Sequence, residues 1–243
     1  MRRINFDITA FARRAAAECP RCRGQRGDGL YCPSCAVLVA REEAARLEAE
    51  RRRAEREQAE AARVEAQARE DFFLQLCPPL YRGATLDGLP TAIRAGIQRW
   101  AWRGPLYLWG QVGTGKTFST WGLVRHWVAN DLGGPPSFVR VGDLLDSIGR
   151  SRFADTDPVA PYASADLLVL DDLAAGSATE FERAALLRLV DSRVNSWLPT
   201  IITSNLAPGA LAAAVDDRLA SRLASGVVVR VDGPDRRIKK AGV

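Results

Sequence analysis

Long apolar runs are missing from this 243-residue sequence: no stretch approaches the roughly 20 apolar residues that cross a bilayer. The basic residues Arg2 and Arg3 at the chain start are not followed by an apolar segment, so no secretory signal is predicted there. Together these absences predict a cytoplasmic protein.

Histidine is also scarce, since His126 is the only one, and it lies far along the chain from the cysteines. We therefore predict that it is not a metal ligand. Four of the five cysteines instead form the pattern C-x2-C-x9-C-x2-C, and disulfides are rare in the cytoplasm. The predicted ligands of a four-thiolate zinc site are Cys19, Cys22, Cys32 and Cys35. Cys77 lies outside this pattern, and we expect it to pack near the start of the next domain.

Glycine and proline are absent from residues 36–75, where alanine, glutamate and arginine dominate. These three residue types lose little on entering a helix, so a solvated helical spacer is predicted. From Pro78 onward, apolar runs alternate with Gly/Pro breaks, which is typical of a packed α/β domain. The predicted organisation is a four-cysteine zinc-binding module over 1–40, a charged helical linker over 41–76 and an α/β domain over 77–243.

Strand signals in the α/β domain alternate with helical ones. The predicted strands cover 106–109, 137–141, 167–170, 200–203 and 227–231. This alternation predicts a parallel five-stranded sheet between helices. Ser177 and Glu180 have capping-box spacing, which predicts a helix from there to about Asn195.

Residues 110–117, GQVGTGKT, match the phosphate-loop pattern G-x-x-x-x-G-K-[ST] in full. The motif leaves an apolar strand and enters a helix, so its backbone N–H groups can face phosphates at the positive end of that helix. Lys116 is expected to reach the β- and γ-phosphates of ATP, and Thr117 to ligate Mg²⁺. The predicted nucleotide-binding residues of this loop are Gly110, Val112, Gly113, Thr114, Gly115, Lys116, Thr117 and Phe118.

Two further strands end in polar residues. Asp171 and Asp172 follow four apolar residues, and the carboxyl ends of strands are where open α/β sheets bind ligands. We expect Asp171 to hold Mg²⁺ and Asp172 to polarise the attacking water; the alternative is a solvated acidic pair. Asn205, after the apolar residues 201–202, is expected to contact the γ-phosphate or this water. These residues predict an ATPase that releases ADP and phosphate.

Arg218 and Arg222 stand at i,i+4 on one face of a predicted helix. Their planar guanidinium groups suit a γ-phosphate, and this position along the chain predicts contact with a neighbouring subunit's nucleotide. The alternative is a surface ion pair with Asp216 or Asp217.

The segments GQVGTGKT, LLVLDDL, TIITSN and DRLASRL occur in this order, after the lead-in PPLYRGATLDGL. Over roughly 78–235 this set resembles the AAA+ ATPases of the DnaC/DnaI helicase-loader and IstB transposition-helper group. The resemblance implies an AAA+ fold without a C-terminal helical lid. It also implies that Asn205 is sensor 1 and Arg222 the arginine finger, with Arg218 supporting. Many relatives carry Glu where this chain has Asp172, so slow hydrolysis, stimulated by DNA or a partner, is expected.

The resemblance implies a replication accessory ATPase, nucleoid-associated, that loads a replicative helicase onto single-stranded DNA. We expect residues 1–77 to bind the helicase, and the protein to form an ATP-dependent homo-oligomer or to assemble on a helicase hexamer. One alternative is an IstB-like helper that acts on duplex DNA with a transposase. Another is an ATP-gated adaptor with little hydrolysis.

Contacts to DNA are less clearly marked. The net charge of +5 permits binding to phosphates. Arg150, Arg152 and Phe153 form one candidate basic–aromatic contact, and the alternative is a solvated connection.

Overall fold

The computed structural model describes residues 18–25, 29–151, 157–173 and 178–235. Two compact units, Met1–Glu65 and Ala66–Val243, divide the chain and are described separately. The predicted domain bounds at 40 and 76 remain predictions. No helix in the described ranges has the length and apolarity required to cross a membrane.

The elements follow one another in a regular α/β alternation. The helices are α1 (Pro33–Leu76), α2 (Thr91–Trp100), α3 (Lys116–Ala129), α4 (Val141–Ser151), α5 (Ala160–Ala163), α6 (Glu180–Asn195), α7 (Pro208–Ala214) and α8 (Asp217–Ala224), with a 3-10 turn at Pro79–Tyr81. The strands are β1 (Pro105–Trp109), β2 (Ser137–Arg140), β3 (Leu168–Leu173), β4 (Thr200–Ser204) and β5 (Val227–Arg230).

Helix α1 is 44 residues long and begins at Pro33, inside the second cysteine pair and earlier than the predicted linker. Proline suits the first helical turn because it has no N–H to leave unpaired and its φ is already helical. In the first unit, Arg52 pairs with Glu48, as the i,i+4 spacing favours. Such exposed ion pairs each stabilise a helix by only about 0.3–0.5 kcal/mol, so this segment depends mainly on its helix-forming composition.

All five strands are parallel and lie in the order β2-β3-β4-β1-β5. The predicted parallel five-stranded sheet is therefore confirmed. Strand β3 extends to Leu173, three residues beyond the predicted end, and its pairing with β4 is irregular between Leu170 and Leu173.

Helices cover both faces of the sheet. Successive side chains of a strand point to opposite faces, so neighbouring residues belong to different core clusters. Leu106 and Leu108 belong to a core cluster with residues of α2 and α3. Tyr107, between them, belongs to a second cluster with residues of α4, α6, α7 and α8. The carboxyl ends of the strands are thus held at one edge of a sheet packed between two helical layers.

The predicted capping box at the start of α6 is wrong by two residues. Thr179 is the N-cap: its hydroxyl accepts from the Glu182 backbone N–H, and the Glu182 carboxylate accepts from the Thr179 N–H. The same T-x-x-E spacing occurs here, nearer to the first buried residues of the helix. Ser177 lies outside the described residues, and the helix ends at Asn195 as predicted.

Candidate functional site

A cavity of about 640 Å³ opens at the carboxyl edge of the sheet. It is lined by nine of the residues predicted from the sequence: Val112, Gly113, Gly115, Lys116, Thr117, Phe118, Asp171, Asp172 and Asn205. Four other lining residues were not predicted from the sequence: Leu80, Tyr81, Arg140 and Thr203. Two signals could have found some of them, because Arg140 ends a strand at this edge and Leu80 lies in the lead-in segment.

The phosphate loop, residues 110–117, depends on glycine for its path. Gly115, just before α3, has a φ of 94°, a left-handed conformation that other residues adopt only at a cost. Gly110 has no room for a side chain, since a β-carbon there would lie 2.2 Å from the carbonyl oxygen of Val231. Thr114 is 2% exposed and its hydroxyl donates to the Gln111 carbonyl, which closes the loop from within.

Lys116 is 8% exposed and its ammonium group is held at the centre of the site. The Nζ atom donates to the carbonyl oxygens of Gly110 and Gln111, each at 2.8 Å, and to Asn205 Oδ1 at 2.7 Å. The fold thus brings Asn205, 89 positions later in the chain, next to the phosphate-loop lysine. A phosphate oxygen could replace these acceptors, because Lys offers three rotatable donors on a flexible stem.

Asp171 is 4% exposed and lies beside the start of α3. Its Oδ1 atom accepts from the hydroxyls of Thr117, at 3.0 Å, and Thr203, at 2.7 Å. Burial raises the pKa of this carboxyl, while the two hydroxyl hydrogen bonds act in the opposite direction. A divalent cation bound here would favour the ionised form. The donor set of one carboxylate and one hydroxyl suits Mg²⁺, which usually keeps several waters.

Asp172 is exposed at the cavity, and its φ of 61° places it in the left-handed region. Its backbone N–H donates to the Thr203 hydroxyl at 2.8 Å. Aspartate tolerates this conformation better than most residues, and the irregular pairing after Leu170 accompanies it. The two acids therefore differ: Asp171 is buried against α3, while Asp172 is open to solvent in the cavity.

The structure does not bring Arg218 and Arg222 to the cavity of their own chain, since neither lines it. Arg222 forms an ion pair with Asp191 of α6, and not with Asp216 or Asp217 as the alternative interpretation of the sequence expected. Asp216 instead caps α8, because its carboxylate accepts from the first backbone N–H groups of that helix. A role for Arg222 and Arg218 at a neighbouring subunit's nucleotide remains a prediction.

The segment after β5 runs beside the phosphate loop. The Val231 backbone N–H donates to the Trp109 carbonyl at 2.7 Å. Four residues later the Asp235 carboxylate lies against Gly113, at whose α-carbon an added β-carbon would be 2.1 Å from it. A negative charge is therefore placed next to a loop predicted to bind phosphates.

Replacing Asp235 by asparagine is expected to tighten Mg-ATP binding about threefold at low salt, because a charge that repels the phosphates is removed. Titration with a fluorescent ATP analogue measures this effect, which should shrink as salt is added. Asp232→Asn is the control, since that exposed acid pairs with Arg230. Weaker binding by the Asp235 variant would contradict repulsion and indicate that the carboxylate orders the loop.

The four predicted zinc ligands form a cluster in the first unit. The sulfur atoms of Cys19, Cys22, Cys32 and Cys35 all lie within 4.8 Å of one another, and those of Cys22 and Cys32 are 3.6 Å apart. Tetrahedral zinc with Zn–S bonds of about 2.3 Å requires sulfurs about 3.8 Å apart, so the donor set fits this ion. A disulfide needs about 2.05 Å and is not formed.

The backbone around the cluster supports the same interpretation. The Cys19 N–H donates to the Gly24 carbonyl and the Arg23 N–H to the Cys19 carbonyl, each at 2.8 Å, which closes a tight turn around the first pair. Cys35 lies in the first turn of α1, so the start of this helix holds the second cysteine pair. Arg21 joins this turn to the helix through a two-pronged contact with Glu42.

Chelation of zinc is expected to unfold the cysteine module while nucleotide binding by the second unit is retained. Among the described residues up to position 40, only Cys19 and Cys35 are buried, and structural zinc supplies about 10–16 kcal/mol of apparent binding energy in comparable peptides. Released zinc, circular dichroism and nucleotide titration measure the three quantities on one sample. Unchanged circular dichroism with no zinc released would contradict a metal site.

The candidate DNA contact is described only in part. Arg150 is exposed near the end of α4. Arg152 and Phe153 lie outside the described residues, so the basic–aromatic contact remains a prediction.

Comparisons with known proteins agree with this geometry. No family model matches the chain. The chromosomal replication initiator protein DnaA of Bordetella petrii is 31% identical over 141 residues, which are 56% of this chain and 29% of that protein. The DnaA of Burkholderia cenocepacia is 28% identical over 141 residues, 26% of its length. The chain thus spans less than a third of the curated relatives it matches.

Solved structures of replication proteins share the fold. DnaI is similar with a TM-score of 0.55 and 23% identity, over 66% of this chain and 94% of the solved DnaI chain. The DnaC helicase loader is similar with a TM-score of 0.54 and 19% identity, over 64% of this chain and 100% of the solved DnaC chain. Replication initiator DnaA bound to AMPPCP and single-stranded DNA is similar with a TM-score of 0.54 and 22% identity, over 67% of this chain and 53% of that chain. The resemblance inferred from the motifs is confirmed at the level of the fold: this chain has the AAA+ fold of DnaA, DnaI and DnaC.

Proposed function

We propose that the protein is an ATPase of DNA replication that binds Mg-ATP in the cavity and loads a replicative helicase onto single-stranded DNA. The observation that carries the nucleotide site is the pair of contacts around one cavity, Lys116 with Asn205 and Thr117 with Asp171. A similar structure holds AMPPCP, which supports nucleotide binding by this fold.

Each residue has a distinct task in hydrolysis to ADP and phosphate. The phosphate-loop N–H groups and Lys116 bind the phosphate chain. Thr117 and Asp171 would hold Mg²⁺, which supplies charge neutralisation at the phosphates. Asp172 accepts a proton from the attacking water and orients it, and Asn205 positions that water or the terminal phosphate.

The side chain available at Asp172 favours a slow reaction. Aspartate is one methylene shorter than the glutamate expected at this position in resembling proteins, so its carboxylate lies further from the water that it must polarise. Slow basal hydrolysis would let the ATP-bound state persist until DNA or a partner stimulates turnover.

Helicase loading is favoured over the alternatives because this chain is similar in structure to a helicase loader and to DnaI, over 100% and 94% of their solved chains. The cysteine module is the proposed helicase-binding element. It is a small unit whose four cysteine sulfurs fit a zinc ion, and several of its apolar side chains are exposed. Those side chains are Leu30, Val37 and Leu38.

Co-elution of the full-length protein with the replicative helicase of its source cell, in Mg-ATP, tests this function. We expect a complex that the double change Cys22→Ser and Cys35→Ser abolishes. Cys77→Ala is the matched control, since that buried thiol lies outside the cluster and should leave the complex intact. If no complex forms with the helicase, and the protein binds duplex DNA with a transposase, the transposition-helper alternative replaces the proposal.

A further inference from the structure

Arg140 is the arginine that lines the cavity. It is the last residue of β2 and pairs in register with Asp171 of β3, so it reaches the same edge of the sheet as the predicted site residues. The side chain is exposed, and within the described part of the chain it forms no ion pair. Its guanidinium group is therefore available to a ligand.

The cavity lining carries as many acidic as basic side chains. Its charged lining consists of two cations, Lys116 and Arg140, and two acids, Asp171 and Asp172. A nucleoside triphosphate is strongly anionic, and the Lys116 ammonium group already lies deep among loop carbonyls. Arg140 is also close enough to Asp171 for its charge to lower the pKa of that acid, against the larger effect of burial.

The strand order indicates which phosphate of a bound nucleotide Arg140 can contact. Going from the phosphate loop at the end of β1, the edge carries Asn205 after β4, then the acids of β3, then Arg140 on β2. Neighbouring strands are about 4.8 Å apart, so Arg140 is three strand spacings from the loop that holds the inner phosphates. If the loop holds the inner phosphates and Asp171 holds Mg²⁺, the terminal phosphate would lie on the side of the acids, where Arg140 is the next cation that lines the cavity.

We propose that Arg140 binds the γ-phosphate of the nucleotide held by its own chain and so distinguishes ATP from ADP. This inference rests on the proposed nucleotide site. Arginine suits the task because its planar fork donates two parallel hydrogen bonds to phosphate oxygens. ADP lacks that phosphate, so the contact exists only in the ATP state.

Titration of the full-length protein with fluorescent analogues of ATP and ADP, in Mg²⁺, tests the inference. Arg140→Ala is expected to weaken ATP binding about 10- to 100-fold, the range for losing hydrogen bonds between ionised groups, and to leave ADP binding unchanged. Arg140→Lys should recover part of the ATP affinity, since the charge returns without the fork. Arg94→Ala is the control: that arginine is also exposed, on α2, and does not line the cavity.

Each result has a separate meaning. Equal weakening of both nucleotides would show that Arg140 acts only through Asp171 and the Mg²⁺ site, and would overturn the inference. Unchanged ATP affinity would overturn it as well. If the unmodified protein bound neither nucleotide, the proposed function itself would fail, together with the inference. Thermal unfolding of the variants verifies that this exposed substitution leaves the fold intact.

Discussion

Replacing Lys116 by alanine is expected to weaken Mg-ATP binding at least about 100-fold and to reduce hydrolysis to background, because hydrogen bonds to ionised groups contribute about 1.5–3 kcal/mol each. The ammonium group is nearly buried, and hydrogen bonds are stronger in such a setting than in water. Its removal also leaves three acceptors without their donor, including the Asn205 amide oxygen. Calorimetric titration and phosphate release measure the two effects.

Asp172→Asn is the companion variant that separates binding from chemistry. It keeps the size of the side chain and loses only the base, so ATP should still bind while turnover falls. A turnover that is near zero before and after this change would instead favour an ATP-gated adaptor with little hydrolysis.

Retained ATP binding by the Lys116 variant would contradict the assignment of the cavity.

Replacing Arg193 by leucine is expected to lower the free energy of unfolding by about 3–5 kcal/mol, because several buried acceptors lose their donor at about 1–3 kcal/mol each, partly offset by removal of a buried charge. Arg193 is fully buried in the interior of the second unit. Its guanidinium group donates to five acceptors: Thr200 Oγ1 and the carbonyl oxygens of Tyr162, Ala163, Ala165 and Pro199. Burial lowers the pKa of this arginine to about 10, opposed by the charge of Asp166.

The network matters to the site because it joins the segment before β3 to the start of β4. Those strands carry Asp171 and Thr203 at their other ends. A change in the position of the strand starts should therefore also shift these two site residues. Urea unfolding measures the stability. Arg188→Leu is the control: this exposed arginine of the same helix should change stability by no more than about 0.5 kcal/mol. Equal stability of the two variants would mean that Arg193 is compensated elsewhere.

Contiguous signals in the sequence indicated most of the residues that the structure brings to one cavity. The phosphate loop, the apolar strand before Asp171 and the strand before Asn205 are each short segments whose residue order carries the chemistry. Parallel strands place their carboxyl ends at one edge, so a correct fold class was enough to bring Lys116, Asp171 and Asn205 together. The cysteine spacing also predicted the cluster of four sulfurs, because both cysteine pairs lie within 17 residues.

Contacts between distant segments could not be predicted in this way. Arg193 appears in the sequence as one more charged residue of a helix, and only the packing of two loops against it explains its burial. Thr203 was counted as a strand residue, although its hydroxyl joins Asp171 to the Asp172 backbone. The Arg222 pair with Asp191 likewise depends on how α8 packs on α6, which nothing local specifies.

Loading of the purified replicative helicase onto circular single-stranded DNA, by the full-length protein in Mg-ATP, tests the proposed function most directly. We expect the helicase to be recovered on the circle only when this protein and ATP are both present, and to be lost with Lys116→Ala. Helicase that reaches the DNA equally well without this protein, or with the Lys116 variant, would contradict the assignment of an ATP-driven helicase loader.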